Sequence, residues 1–280
     1  MNYRHAYHAG NYADVLKHVA LLAVCDRLNQ KPAPCFYLDT HSGRGHYPLG
    51  GAETQRAGEF RNGVMRLLQQ PSPPTAVARY LAAVSDHGLR DGALVDYPGS
   101  PVLAANALRA QDRLALCELE PKEAQALRDG LRHDRRVAIH ERDGYEALAA
   151  LLPPREKRGL ILIDPPYEEA NEFTRLLEAL PATLKRWPTA TYMVWYPIKH
   201  GGGSHRFLER MQAIGIRRQL VVELTVERDD SPGGLNGSGL LIVNPPWQLA
   251  EELALALPYL HEKLSITGHG RWRVEWLVPE

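Results

Sequence analysis

Four short, unbroken apolar runs recur along the chain, each leading to an acidic residue. Cys35-Phe36-Tyr37-Leu38 stops at Asp39, Leu114-Ala115-Leu116-Cys117 at Glu118, and Leu160-Ile161-Leu162-Ile163 at Asp164, while Val137-Ala138-Ile139-His140 leads to Asp143. Such runs predict strands of a parallel sheet, with Leu160–Ile163 buried on both faces and Cys35–Asp39 a short buried strand. Helical periodicity separates them. Asn11 is placed to cap a helix to about residue 27, with Val15, Leu16, Val19, Leu22 and Ala23 on its apolar stripe, His18 flanking that stripe and Lys17 pointing away from it. Further helices are expected over 168–185, 204–214 and 248–264, and strands over 191–196, 219–227 and 239–243, with an edge strand near 273–278.

Residues 50–96 break this alternation. Two helical patterns, 57–70 and 74–85, flank Pro71-Ser72-Pro73-Pro74, and no buried strand is evident. The expected fold is therefore α/β: a Rossmann-like sheet with helices on both faces, formed by residues 1–47 and 97–280. A small helical insertion, residues 48–96, is expected over the crevice, with Arg56, Arg61 and Arg66 available to substrate.

In open α/β sheets ligands bind beyond the carboxyl ends of the strands, where all four acids fall. Asp164 is followed by Pro165, Pro166 and Tyr167. Two prolines supply fixed backbone carbonyls and no N–H, beside a carboxylate and a phenol ring. That set suits an exocyclic amine on a flat base: Asp164 and the Pro165 carbonyl accept its hydrogens, and Tyr167 stacks on the ring. An aryl amine held this way is pyramidalised for attack, and Asp164 can help remove the surplus proton.

Asp39 is followed by Thr40-His41-Ser42-Gly43-Arg44-Gly45, an opening typical of a nucleotide-type site. The dinucleotide fingerprint fails, because Pro48 stands where a third glycine belongs. A cofactor without phosphates is favoured, and S-adenosylmethionine fits, with Asp39 facing its cationic end and His41 in the same loop. Ser100 as N-cap and Pro101 as first helical residue start a helix able to hold a carboxylate. Glu118 or Glu120 is placed for ribose hydroxyls, and Asp143 with Gly144 for the adenine amino group.

The 280 residues carry 33 basic and 33 acidic side chains, so bulk charge announces no nucleic acid, although 26 of the basic residues are Arg. Three cysteines without metal spacing read as buried thiols in a reducing cytoplasm. No apolar run approaches a membrane span, and no signal peptide is evident. His5, His8 and His18 lack His-x3-His spacing, so no metal is expected. Asn244-Pro245-Pro246-Trp247 mimics the amine-binding motif, but only 33 residues follow it and none supplies a glycine loop.

The pairing of Asp39-x3-Gly43-x-Gly45 with Asp164-Pro165-Pro166-Tyr167 resembles the class I S-adenosylmethionine-dependent amino methyltransferases. Tyr3-Arg4-His5, His8-Ala9-Gly10-Asn11, Ala13-Asp14-Val15-Leu16-Lys17-His18, Tyr97-Pro98-Gly99-Ser100-Pro101, Trp195-Tyr196-Pro197 and the Asn244 motif are similar, more specifically, to the RlmJ family of bacterial 23S rRNA adenine-N6 methyltransferases. The resemblance implies cofactor contact by His18, His41, Ser100, Glu118, Asp143, Gly144 and Asp164, with Asp164 also facing the target amine. It selects Glu118 over Glu120 and implies that Tyr3 touches RNA. Protein-free 23S rRNA is the expected partner of a cytoplasmic monomer. The alternatives are a DNA adenine-N6 methyltransferase and a non-catalytic nucleic-acid-binding protein that retains a cofactor site.

Overall fold

The computed structural model describes residues 4–228, 231 and 234–280. Eight strands build one sheet: β1 (Phe36–Asp39), β2 (Arg113–Glu118), β3 (Val137–Glu141), β4 (Gly159–Ile163), β5 (Thr191–Ile198), β6 (Gln219–Thr225), β7 (Gly237–Val243) and β8 (Trp272–Val278). Their spatial order is β8-β6-β7-β5-β4-β1-β2-β3. The first five are mutually parallel, β7 runs antiparallel to β5 and β6, and β8 runs antiparallel to β6. Every described residue of β1 and β4 is buried, as their unbroken apolar runs require.

Among the described residues ten α-helices accompany the sheet: α1 (Tyr12–Asn29), α2 (Ala52–Ala57), α3 (Val64–Leu68), α4 (Thr75–Gly88), α5 (Ser100–Ala107), α6 (Pro121–Leu131), α7 (Gly144–Leu151), α8 (Glu172–Arg186), α9 (Gly203–Ala213) and α10 (Leu249–Leu264). Strand alternation divides the core in two. Leu160 and Leu162 of β4 pack toward α1, α4, α5 and α10, whereas Ile161 and Ile163 pack toward α7, α8 and α9. A buried aliphatic side chain contributes about 1.5–3 kcal/mol, so the two faces of β4 alone anchor both helical layers.

Two departures from the sequence pattern matter for the site. The expected helix over 57–70 is broken: α2 stops at Gly58, whose φ is +65°, and a 3-10 turn (Glu59–Arg61) intervenes before α3. Helix α1 is wrapped on all sides, with Asp14, Lys17 and His18 buried among its apolar residues. It lies against the sheet on one flank and under α4, α5 and α10 on others, so Lys17 has no solvent side to point toward. The expectation that it points away from the core is wrong.

Candidate active site

Because β1 to β5 are parallel, their carboxyl ends share one edge of the sheet, and that edge opens into a cleft of about 1230 Å³. Asp39, Glu118, Asp143 and Asp164 all leave strands on that edge. The opposite is true of Asn244: β7 ends beside the start of β5, with Val243 paired to Tyr192. Its Pro-Pro-Trp sequence therefore exits at the far edge, where Asn244 ties down the Pro188 and Ala190 carbonyls and Trp247 is exposed.

Asp164 is held by a residue that sequence reasoning did not place there. Lys17 donates to Asp164 Oδ2 at 2.6 Å and to Asp14 Oδ1 at 2.8 Å. Burial disfavours the Lys17 charge, but the two carboxylates outweigh it and hold the ammonium well above its ordinary range. Asp14 is itself buried, and His5 (Nε2 to Oδ2, 3.0 Å) and Lys17 keep it well below the usual carboxylate range against that burial. A lysine on an amphipathic pattern reads as solvent-facing. Only burial of the whole helix reveals Lys17 as part of the site.

The glycine loop between β1 and the strand His46–Pro48 is pinned by Glu118 and by Asp39, whose Oδ1 accepts the His41 N–H at 3.3 Å. Glu118 accepts the Gly43 N–H at 2.8 Å through one oxygen and the Glu120 N–H at 2.8 Å through the other. Burial raises Glu118 above its ordinary range despite these bonds. Glu120 lies two residues further, at the cap position of α6. Asp39 Oδ2 accepts from Tyr37 (2.8 Å) and Ser100 (2.7 Å), and burial pushes its carboxyl up to about 6. Ser100 is not the N-cap expected: Gly99 holds that position, and the Ser100 hydroxyl turns to Asp39 instead.

Asp143 caps α7, accepting from the Tyr145 and Glu146 N–H groups, and pairs with Arg175 at 2.9 Å. Burial raises it, but the Arg175 contact prevails and keeps it low. Gly144 is required by crowding: a Cβ there would lie 2.4 Å from the Thr40 carbonyl and 2.9 Å from the His41 ring. His41 is driven down to about 4 and His18 to about 3 by burial, so both are neutral imidazoles at pH 7. His18 Nδ1 bonds the Tyr97 hydroxyl at 2.8 Å, whereas its Nε2 is buried without a hydrogen-bond partner among the described residues.

Tyr167 follows the prolines with φ +50°, a conformation that turns its ring between Phe173 and Trp195, centroids 5.0 and 5.6 Å away. Its hydroxyl donates to the Trp195 carbonyl at 2.7 Å. The cleft lining includes His18, His41, Ser100, Glu118, Asp143, Gly144, Asp164, Pro165 and Tyr167, so these predicted residues share one cavity. Tyr3 lies outside the described residues. His5 bonds Asp14 and His8 bonds Glu59, and among the described residues neither belongs to a group of side chains that could hold a metal ion. Among the three arginines expected from the insertion, Arg66 bonds the Lys263 carbonyl, and none lines the cleft; Glu59 and Asn62 do.

The donor set fits a cationic, phosphate-free nucleoside. Glu118, Asp143 and Asp164 line the cleft with carboxylates, Asp39 does not reach the lining but lies fully buried behind Ser100, which does, and Lys17, Arg44 and Arg175 are already engaged by Asp14 and Asp164, Glu123 and Asp143. Sheet order, glycine loop and the Asp-Pro-Pro-Tyr corner together are those of a class I S-adenosylmethionine-dependent methyltransferase. A family model described as "Ribosomal RNA large subunit methyltransferase D, RlmJ" matches residues 32–278. The chain is 40% identical to Ribosomal RNA large subunit methyltransferase J of Haemophilus influenzae and 41% identical to its Escherichia coli namesake, each over 280 residues and the whole of both chains. A crystal structure of a Legionella pneumophila protein, 36% identical, matches with a TM-score of 0.89 over 96% of this chain and 98% of that one. The chain belongs to the RlmJ family.

Proposed function

We propose that the protein transfers a methyl group from S-adenosylmethionine to the N6 amine of a specific adenine in 23S rRNA, using protein-free rRNA as substrate. The observation that carries this is the placement of the Asp164-Pro165-Pro166-Tyr167 corner and the Gly43 loop on one cavity. When bound, the cofactor supplies an electrophilic methyl group on a sulfonium. The chain's own residues do the rest. Asp164 and the Pro165 carbonyl accept the two amine hydrogens, which directs the nitrogen lone pair toward the cofactor side of the cleft. Tyr167 offers a ring face to the flipped base. Lys17 donates to Asp164 where the target amine would also donate, so it holds the carboxylate in orientation until the base arrives.

For the cofactor, His18, His41, Ser100, Glu118, Asp143 with Gly144, and Asp164 are the proposed contacts. Each oxygen of Glu118 retains a lone pair for a ribose hydroxyl after its backbone bond. Tyr3 is proposed to touch RNA. Residues 48–96 are proposed as an inserted subdomain: no strand of the main sheet lies within them, and a ribbon of His46–Pro48 with Asp96–Pro98 closes their two ends. The protein is proposed to act as a cytoplasmic monomer, and no described helix is long and apolar enough to cross a membrane.

Methyl transfer from tritiated S-adenosylmethionine to deproteinised 23S rRNA, 16S rRNA and matched DNA oligonucleotides tests this reading. Label confined to N6-methyladenosine in 23S rRNA is expected. Preferential labelling of DNA favours the DNA enzyme, and RNA binding with no label favours the non-catalytic module.

A further inference from the structure

At the neck of the helical segment, three side chains from three separate stretches converge. His46 stands on the strand after the glycine loop, Asp96 on the strand paired with it, and His87 in the last turn of α4. His87 Nε2 lies 2.9 Å from Asp96 Oδ2 and 3.2 Å from His46 Nδ1, and His46 Nδ1 lies 3.7 Å from Asp96 Oδ2. A tetrahedral zinc-class ion with bonds of about 2.0–2.1 Å holds its donor atoms roughly 3.3–3.4 Å apart. The three edges bracket that spacing.

Hydrogen bonding alone leaves the cluster poorly satisfied. Ionised Asp96 only accepts, and a single proton on His87 Nε2 serves one edge of the triangle well. Asp96 Oδ1 and His46 Nε2 are buried without a hydrogen-bond partner among the described residues. The two rings stack with centroids 4.9 Å apart, and Gly130 of α6 leaves the space His46 occupies, since a Cβ there would fall 2.6 Å from its ring. Side-chain exposures of 31, 13 and 28% for His46, His87 and Asp96 give an ion a route from solvent and room for a water as fourth ligand. Among the described residues, no other His, Cys, Asp and Glu side chains gather in this way. The expectation of a metal-free chain rested on local spacing, which cannot register ligands 41 and 9 positions apart.

We propose that His46 Nδ1, His87 Nε2 and Asp96 Oδ2 bind one divalent transition-metal ion of the zinc class, which clamps the neck of the helical segment. On binding, the His87 proton moves from Nε2 to Nδ1 and His46 carries its proton on Nε2, so both rings coordinate as neutral imidazoles and three coordinate bonds replace the hydrogen bonds. The ion ties the strand entering the segment to the strand leaving it and to α4. It thereby steadies the Gly43 loop on one side and Ser100 on the other, without joining the chemistry at Asp164.

Tag-free protein freed of metal by a chelator and titrated with Co2+ tests the site. One equivalent is expected to give the intense visible bands of a four-coordinate ion, to be displaced by Zn2+, and Zn2+ is expected to raise the thermal unfolding midpoint. His87→Gln and Asp96→Asn should lose both signals, whereas His205→Gln, exposed on α9, should keep them. Circular dichroism establishes that each variant is folded, with His46→Gln replacing any that is not. The pale six-coordinate spectrum of aqueous cobalt at every ratio, or bands unchanged in the ligand variants, would overturn the proposal.

Discussion

Lys17 and Asp164, 147 positions apart in sequence, meet at 2.6 Å in the floor of the cleft. The same ammonium bonds Asp14 within its own helix, so one cation links the buried interior of α1 to the carboxylate at the end of β4.

Removing that cation should therefore cost more than a surface pair would. Lys17→Met leaves Asp14 buried without its lysine partner, and breaking such a pair costs about 3–5 kcal/mol. Urea denaturation at pH 7 measures this as a lower midpoint. The fold holds Asp14 below its ordinary range. Its share of stability is therefore complete above the unfolded value of about 4 and disappears as pH falls further. In the variant, acid unfolding should begin at a higher pH. Unchanged urea and acid midpoints would show that the pair contributes nothing.

Asp39 predicts the opposite sign of pH dependence in the ligand-free protein. Its folded carboxyl is raised to about 6, so its contribution to stability declines as pH rises from its unfolded value through about 6. A cationic ligand requires the ionised form. Affinity for S-adenosylmethionine should accordingly fall by about tenfold between pH 7 and pH 5, with proton release on binding near pH 6. Calorimetric titrations in buffers of different ionisation enthalpy measure both quantities, and a flat profile would remove Asp39 from the cationic end.

Tyr167 combines a stacking face with a structural tether. Tyr167→Phe loses the hydroxyl bond to the Trp195 carbonyl but keeps the ring, and should stay within a few-fold of normal turnover at limiting RNA. Tyr167→Ala should lose about 1–3 kcal/mol of substrate use. Equal losses in both variants would assign the residue to loop structure alone.

Gly144→Ala tests the packing of the cofactor end. The added methyl would press on the Thr40 carbonyl, which is fixed backbone, and on the half-buried His41 ring. Overpacking of this kind costs about 1–3 kcal/mol. Binding of S-adenosylhomocysteine should weaken at least tenfold, read by calorimetry. Normal affinity with normal stability would place Gly144 away from the ligand.

Periodicity alone made the sheet legible, because buried parallel strands need uninterrupted apolar runs and β1, β2 and β4 have them. It also placed the acids, since parallel strands must end on a common edge. The burial of helix α1 is not legible in this way, because a Lys, an Asp and a His on a helix suggest a wet face, and only its enclosure by α4, α5 and α10 forces them into one another's company. Ser100 was assigned to capping because Ser before Pro is a local signal, whereas its partner Asp39 is 61 positions away. The His46, His87 and Asp96 cluster depends likewise on three elements meeting.

The central claim, that Asp164 orients the target amine for methyl transfer, is tested most directly by comparing two quantities in Asp164→Ala. Single-turnover methylation of 23S rRNA should fall at least about a hundredfold, with S-adenosylmethionine affinity within about tenfold of normal. A folded variant that methylates within a few-fold of the unmutated protein would contradict it.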